Sequence, residues 1–321
     1  MTGGLSQIRL VRKLHEALGE KLCNALVDDE VVEIMLNPDG QLFIERVGKA
    51  IEDAGCLSLT AAETIIGAVA HALRFDVNTN QPIVSGELPI SGHRFEGLLP
   101  PVVTGPTFAI RRRASRVIAL DEYVSSALMT HAQAETIRNA VQARKNIIVC
   151  GGTGTGKTTL VNAIVSEISA RSPRERLIIL EDTAEIQCSA DNVVSLHTSD
   201  GVDISRLLKS TMRLRPDRII VGEVRDGAAL TMLKAWNTGH PGGVATIHAN
   251  SARSALQRLE QLTAEASHQP IQAIIADAVD VIISIERTAK GRRISDIVHV
   301  TGFAGGRYQT ESYAEESRNA A

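Results

Sequence analysis

Hydrophobic and polar positions follow different patterns in the two parts of the chain. Up to about residue 113, helix-like spacing is mixed with short apolar runs separated by glycine and proline. This mixture predicts a small α+β domain that contains an antiparallel meander. The predicted elements are helices near 6–26 and 60–74, strands at 31–36 and 41–46, and the meander over 81–111.

From about residue 130, apolar strands alternate with helical segments, which is typical of a mainly parallel sheet covered by helices. We therefore predict an α/β domain over 130–308, preceded by an α+β domain over 1–113 and a linker over 114–129. Residues 309–321 are polar and are expected to form a frayed tail. The predicted strands lie at 146–150, 177–181, 193–197, 218–222, 243–248, 280–286 and 294–301.

A phosphate-binding P-loop follows the first of these parallel strands. Gly151, Gly156, Lys157 and Thr158 meet the pattern G-x-x-x-x-G-K-[ST]. The alternative, a glycine-rich turn with a chance lysine, would not require the apolar strand before it or the helical spacing after it. The predicted cofactors are ATP and Mg²⁺, with Lys157 on the β- and γ-phosphates and Thr158 on the metal. The nucleotide-binding residues are Gly151, Gly152, Thr153, Gly154, Thr155, Gly156, Lys157, Thr158 and Thr159.

Acidic residues end two further strands. Glu223 ends the strand at 218–222, and a carboxylate there can polarise the attacking water or help to hold Mg²⁺. Glu181, Asp182 and Glu185 follow the strand at 177–181 and suggest metal or water positioning. A charged loop with no catalytic role is the alternative for both segments, and the sequence leaves open which acid of the second group matters.

Two histidines flank the strand at 243–248. His248 stands at its carboxyl end, where a sensor of the γ-phosphate would lie, and His240 precedes it. A structural role is the alternative for each histidine, since a lone histidine is more often structural than catalytic.

Arginines suggest further phosphate contacts. Arg94 and the triplet that begins at Arg111 could bind nucleotide phosphates, or could form a solvated or domain-contact patch. Arg111 is favoured because it ends a strand. Arg213, Arg215 and Arg218 could act at a subunit boundary.

Bulk composition narrows the classes of function. A net charge of -3 and 3% aromatic residues offer little for nucleic-acid binding. The four scattered cysteines argue against a disulfide framework or a zinc site. The chain shows no signal peptide and no apolar run long enough to span a membrane, so a cytoplasmic location is expected. No N-K-x-D segment is present to read guanine.

In their order along the chain, these segments resemble the hexameric ATPases of type IV secretion and conjugation, relatives of type II secretion and pilus-retraction motors. The P-loop, an Asp box (Leu180 to Glu185), a G-E-x-R-D segment (Gly222 to Asp226) and a His box (Thr238 to His248) carry the resemblance. It is strong over 125–300, weaker over 85–113, and limited to general layout in the first 80 residues. The cysteine-rich zinc motif of the pilus-assembly branch is absent.

The resemblance implies a RecA-like P-loop domain, a homo-hexameric ring, and ATP bound between the two domains of each subunit. It implies docking on inner-membrane components of a conjugation or secretion channel, at the cytoplasmic face, with no direct sequence-specific contact to nucleic acid. The ring would power pilus biogenesis or substrate export. The implied catalytic residues are Glu223, Lys157, Glu181, Glu185, His248 and His240; Arg94 and Arg111 would bind nucleotide, and Thr158 and Asp182 the metal.

Two other readings stay open at this point. One is a DNA-translocating or recombinase-type ATPase with a similar core, which would bind DNA in a strongly salt-dependent way. The other is a nucleotide-gated scaffold without turnover, which the presence of both Lys157 and Glu223 disfavours.

Overall fold

The computed structural model describes residues 3–89, 91–113, 116–199, 201–267, 269–288 and 291–312. The chain divides into two compact units, Met1–Ser115 and Arg116–Ala321. Each unit has its own sheet and its own buried apolar residues.

The first unit is a six-stranded antiparallel sheet with two helices. The sheet order is β3-β2-β1-β6-β5-β4, and every neighbouring pair is antiparallel. The predicted helices, strands and meander are confirmed, whereas the short edge strand β3 was not predicted. The elements are α1 Gly3–Val27, β1 Val31–Leu36, β2 Gln41–Arg46, β3 Glu52–Cys56, α2 Leu59–Ala72, β4 Ile83–Glu87, β5 Arg94–Leu98 and β6 Thr107–Arg111.

Helical spacing in the sequence forms the core of the first unit. Leu14 and Leu18 of α1 are four residues apart and are buried. Leu22, which follows a break in the helix at Gly19 (φ 71°, ψ 170°), is buried as well. Helix α2 begins after Ser58, whose side chain accepts a hydrogen bond from the Ala61 N–H, as an N-cap does. The two helices contribute their apolar residues to one cluster with the inward positions of the strands.

The second unit is an eight-stranded sheet whose order is β14-β13-β12-β7-β11-β10-β8-β9. The six strands from β12 to β9 pair in parallel, whereas β13 and β14 extend the sheet by antiparallel pairing. The α/β class is therefore confirmed. The elements are α3 Leu120–Ser125, α4 His131–Gln142, β7 Ile147–Gly151, α5 Lys157–Arg171, β8 Leu177–Glu181, β9 Val193–His197, α6 Ile204–Thr211, β10 Arg218–Val221, α7 Ala228–Asn237, β11 Val244–His248, α8 Ala252–Ala264, α9 Gln272–Ala278, β12 Val281–Thr288, β13 Gly291–Ala304 and β14 Arg307–Ser312.

Both faces of this sheet are apolar, because its central strands are buried on both sides. On one face Leu160 and Ile164 of α5 pack against Val149 and its neighbours. On the other face Trp236 of α7 and Leu256 of α8 pack against Ile148 and its neighbours.

Two predicted boundaries differ from the structure. Residues 116–129 of the predicted linker belong to the second unit: Leu120 and Tyr123 of α3 are buried in its core, and the Ile294 N–H donates to the Leu128 carbonyl at 2.8 Å. The predicted tail 309–321 begins too early, because β14 continues to Ser312. Polar side chains on an edge strand can point to solvent, so their sequence looks like that of a tail. Residues 313–321 lie outside the described residues.

Candidate functional site

The candidate site lies at the carboxyl ends of the central parallel strands. The P-loop follows β7, the acids of the Asp box follow β8, and Glu223 follows β10. His248 ends β11 and stands opposite Gly151 in the parallel register of β11 and β7. These segments, which are remote in sequence, share one edge because parallel strands end on the same side.

The P-loop adopts backbone conformations that glycine allows. Gly154 and Gly156 have φ of 70° and 98°, in the left-handed region that favours glycine. Helix α5 begins at Lys157 and runs for 15 residues, so its first N–H groups face the loop. The Thr155 hydroxyl donates to the Gly152 carbonyl at 2.9 Å and tightens the turn. All nine predicted loop residues, from Gly151 to Thr159, lie in the end of β7, the turn and the first turn of α5.

Lys157 is folded back over the P-loop. Its side chain is largely buried, with 8% of the residue exposed, and Nζ donates to the carbonyls of Gly151 and Gly152 at 3.0 Å each. The same Nζ lies 3.3 Å from Nδ1 of His248. The ammonium group therefore occupies the mouth of the loop, where a bound phosphate would compete for it.

Glu223 is held from two sides. Its Oε1 lies 2.9 Å from His248 Nε2, and its Oε2 lies 2.8 Å from Arg225 Nη2. Burial alone would lower the pKa of Arg225, but the hydrogen bond to Glu223 and the charges of Glu223, Asp182 and Glu185 raise it. Arg225 therefore stays charged and orients the carboxylate. Arg225 belongs to the segment from Gly222 to Asp226, but the sequence pattern did not predict its contact with Glu223.

His248 links the lysine to the glutamate. Burial and then the charge of Lys157 lower the pKa of His248, against the opposing effect of Glu223. The neutral tautomer with its proton on Nε2 satisfies both neighbours, because Nε2 then donates to Glu223 and Nδ1 accepts from Lys157. The three side chains form one hydrogen-bonded row.

The acids after β8 have different surroundings. Glu181 is buried, and its Oε1 accepts from the backbone N–H groups of Glu185 and Ile186 at 3.0 and 2.9 Å, so it shapes its own loop. Asp182 accepts from the Thr198 hydroxyl and pairs with Arg225 at 3.2 Å. The charge of Glu185 acts on Arg225. A catalytic role for Glu181 or Glu185 stays a prediction, as does a metal role for Asp182.

Asn162 supports the same loop, and sequence reasoning missed it. Its amide donates to the Glu185 carbonyl at 3.3 Å and accepts from the Gln187 N–H at 2.9 Å. A buried asparagine one turn past the P-loop threonines was the available signal, since Asn162 is among the few polar residues of the α5 core face.

His240 lies at the other edge of the sheet. It precedes β11, whereas His248 ends that strand, and its Nδ1 lies 3.3 Å from the Ala235 carbonyl near the end of α7. These contacts do not bring His240 to the P-loop, and its predicted catalytic role stays a prediction.

Arg218 does not fit the expectation of a subunit-boundary residue. Only 1% of it is exposed; its guanidinium pairs with Glu175 and donates to the carbonyls of Gly242 and Val141. It joins the amino ends of strands within its own unit. Arg213 and Arg215 are exposed.

Arg94 and Arg111 face each other on neighbouring strands of the first unit. They are directly paired in the register of β5 and β6, and Glu87 and Glu33 are the next residues of the row on β4 and β1. Arg111 Nη2 lies 3.3 Å from a Glu33 carboxylate oxygen. The row therefore reads acid, base, base, acid, so a glutamate stands beside each of the two opposed arginines. Arg112, by contrast, is paired with Asp29.

Two features are absent from the residues that the structure describes. Among them, no helix is both long and apolar enough to pass through a membrane. Within the same residues no group of three or more His, Cys, Asp or Glu side chains is arranged to hold a metal ion.

Comparison with known proteins places the chain among secretion proteins. Residues 16–296 match the family model described as Type II/IV secretion system protein. The chain is 66% identical over 315 residues to the Conjugal transfer protein TrbB of Rhizobium radiobacter, with 98% of each chain covered. It is 32% identical over 314 residues to the Type IV secretion system protein PtlH homolog of Bordetella bronchiseptica, covering 85% of this chain and 91% of that protein. The X-ray structure of the Yersinia pseudotuberculosis ATPase DotB has the same fold, with a TM-score of 0.65 at 15% identity, over 91% of this chain and 80% of that one.

Proposed function

Since the chain belongs to the family of type II/IV secretion system proteins, we propose that it is the ATPase that powers a conjugative type IV secretion system. The observation that carries the proposal is the row Lys157–His248–Glu223 at the mouth of the P-loop. A phosphate-binding lysine and a base for water stand in one connected group there, as ATP hydrolysis requires.

The residues present fit a nucleoside triphosphate with Mg²⁺. The left-handed glycines and the first turn of α5 form a cradle of backbone N–H groups, which suits phosphate oxygens. Mg²⁺ keeps several waters and needs few protein ligands, so the Thr158 hydroxyl and the phosphates would suffice, with Asp182 as a further candidate. When bound, Mg²⁺ would neutralise charge that develops on the phosphates.

Three side chains of the protein would bind the phosphates, activate the water and position the base. Lys157 would leave the carbonyls of Gly151 and Gly152 for the phosphates. Glu223 would orient the attacking water and take its proton. His248, neutral at its lowered pKa, would keep Glu223 in place without adding a competing positive charge.

We further propose a RecA-like P-loop domain, a homo-hexameric ring, and docking on inner-membrane components of the channel at the cytoplasmic face. These features come from the resemblance to the family. We also propose Glu181 and Glu185 for the catalytic machinery, Glu181 through the loop that its carboxylate holds. His240, which precedes β11, is proposed for it on the family resemblance alone.

Arg94 and Arg111 are proposed as nucleotide ligands of the first unit. An Arg111→Ala variant should then bind ATP more weakly, because the charge opposite Arg94 is lost together with one phosphate donor. Arg12→Ala, on the exposed surface of α1, is the matched control. Equal ATP affinity in the two variants would remove Arg111 from the site.

The proposal is tested with Lys157→Ala in the full-length protein. We expect ATP hydrolysis and conjugative transfer to be lost while the circular-dichroism spectrum is unchanged, because alanine is a good helix residue at the start of α5. Lys234→Ala, a lysine exposed on α7, should behave as wild type. Hydrolysis at the wild-type rate in Lys157→Ala would overturn the proposal.

A further inference from the structure

The short stretch of chain that carries Glu223 is bound on both sides by neighbouring strands. Strand β10 ends at Val221, where its registered pairing with β8 and β11 also ends. Residues 222–224 follow, and we call them the Glu223 segment. On the β8 side, the Gly222 N–H donates to the Leu180 carbonyl at 2.8 Å. On the β11 side, the segment is bound by one residue, Thr246.

Thr246 binds both peptide groups that join Glu223 to the chain. Its hydroxyl donates to the Gly222 carbonyl at 2.6 Å, and its own carbonyl accepts from the Val224 N–H at 2.9 Å. Only 2% of Thr246 is exposed, so water competes little for either hydrogen bond. Because each peptide group is planar, holding the two on either side of Glu223 fixes its backbone dihedrals and therefore the direction in which its side chain leaves the chain.

The two hydrogen bonds of Thr246 differ in what they require from the sequence. A backbone carbonyl is available from any residue at position 246, and the Val224 end is also held by its side chain, which is buried in the apolar cluster beneath it. Gly222 has no side chain to pack, and a Cβ there would lie 2.9 Å from Cγ of Glu181. The hydroxyl of Thr246 therefore supplies a side-chain contact that Gly222 cannot make for itself.

Strand β11 also holds the other end of the Glu223 side chain. His248 comes two residues after Thr246, so both side chains lie on the same face of the strand. Nε2 of His248 lies 2.9 Å from Oε1 of Glu223. One strand thus fixes Glu223 at two points, at its backbone through Thr246 and at its carboxylate through His248.

We propose that Thr246 is a positioning residue for ATP hydrolysis, whose hydroxyl orients the peptide before Glu223 and keeps the carboxylate aimed at the attacking water. This inference rests on the proposed ATPase function. Thr246 acts through Glu223 and not through the nucleotide, so it changes the rate of the chemical step and not the binding of ATP. Such an effect can be large, because a misplacement of about 1 Å in a catalytic group can slow a reaction by about 10²-fold.

The test measures ATP hydrolysis and ATP affinity of the full-length protein in the presence of Mg²⁺. Thr246→Val keeps the branched shape and removes only the hydroxyl, so kcat should fall by about tenfold or more while KM and ATP affinity are unchanged. Thr246→Ser restores the hydroxyl and should recover most of the lost kcat. The matched control is Thr263→Val, because Thr263 of α8 is fully buried and its hydroxyl donates to the Leu259 carbonyl at 2.7 Å. The control should lose stability, as Thr246→Val does, but should keep the wild-type kcat.

A double variant shows whether the effect passes through Glu223. Glu223→Gln already lacks the group that takes the proton from water. Adding Thr246→Val to it should therefore slow hydrolysis little further, because residues that act through one another give non-additive effects. A purely structural role of Thr246 would instead lower the rate by the same factor in both backgrounds.

Several outcomes would overturn the inference. Equal kcat in Thr246→Val and Thr263→Val would show that the hydroxyl of Thr246 does not position Glu223, and so would a full additional loss in the double variant. If Thr246→Val does not fold, Thr246→Ala and Thr246→Ser are compared, since these two differ only in the hydroxyl, and equal kcat in them contradicts the inference. Wild type that does not hydrolyse ATP would overturn the proposed function itself.

Discussion

Glu223 has both carboxylate oxygens engaged, one by Arg225 and one by His248. A carboxylate between a fixed cation and a neutral imidazole N–H keeps its orientation without losing its ability to accept a proton. The side chain is partly buried, so its two partners act at short range with little water between them. At the scale of the residue, these two contacts thus fix the position of the proposed base.

Glu223→Gln separates the position of this side chain from its ability to take a proton. The amide retains the shape and an oxygen for Arg225 but cannot take a proton from water, so ATP binding should be nearly normal while hydrolysis falls by about 10²- to 10⁴-fold. The measurement is single-turnover hydrolysis together with binding by titration. Glu265→Gln, at the exposed end of α8, is the control. Unchanged turnover per bound ATP would make Glu223 structural.

His93 makes a pH-dependent contribution to stability. Its buried ring lies 3.0 Å from the Leu26 carbonyl through Nε2, and its Nδ1 accepts from the Arg113 N–H. Burial lowers the pKa of His93 below the ordinary value of 6.5, and the charge of Arg112 adds to this. The unfolded chain binds the proton more tightly than the folded protein does. The stabilisation that neutral His93 contributes is therefore complete above pH 6.5 and is lost as the pH falls toward the lower pKa of the folded state.

The matching experiment compares urea unfolding at about pH 8 and about pH 5. His93→Asn should be less stable at the higher pH and should lose less stability on acidification than wild type. His71→Asn, an exposed histidine of α2, should show the wild-type difference. If His93→Asn loses as much stability on acidification as wild type does, the loss is due to other groups.

At the scale of elements, the amino ends of the central strands are joined by a partly buried ionic network. Glu175 lies before β8 and pairs with Arg218 of β10 and with Arg144, the latter at 2.6 Å. Arg144 also donates to the Asp217 carbonyl at 2.6 Å. The network fixes these ends, while the opposite ends of the same sheet carry the P-loop and Glu223. Rigid strands between the two ends keep the catalytic geometry constant.

Arg218→Ala should destabilise the protein by about 3 kcal/mol, because it leaves buried carbonyl groups and part of the Glu175 charge without a partner. Urea unfolding monitored by circular dichroism measures the change. Arg213→Ala, an exposed arginine of the same segment, should change stability by less than about 0.5 kcal/mol. Similar values for both variants would show that the Arg218 network adds little.

At the scale of the whole molecule, the proposed ring requires head-to-tail contacts between identical chains. A heterologous interface closes into a ring when its rotation divides the circle evenly. With ATP and Mg²⁺, sedimentation should give a mass near six times the 34.4 kDa of one chain. Lys157→Ala should assemble less, since it loses the phosphate contact that couples nucleotide to assembly. A mass of one chain under all nucleotide conditions would contradict the hexamer.

The sequence by itself determined those parts of the protein that depend on residues close together in the chain. A glycine-rich turn between an apolar strand and a helix predicts a P-loop, because the turn, the strand and the helix are each determined by neighbouring residues. The parallel order then placed Glu223 and His248 beside it, since parallel strands end at a common edge. The helices and strands of the first unit followed from their apolar spacing. The edge strands β3 and β14 did not, because polar positions on an edge resemble a loop.

Only the tertiary structure decided which side chains meet. Three contacts could not be predicted from local sequence: the pairing of Arg225 with Glu223, the binding of Glu181 to its own loop, and the burial of Arg218. They depend on how the strands and loops pack in the folded protein. The same holds for His240, which lies at the opposite edge from His248 although both flank β11. Residues 116–129 joined the second unit because Leu120 and Tyr123 found apolar partners there. Motif patterns identify the residue types of a site, but burial and register across the sheet assign their contacts.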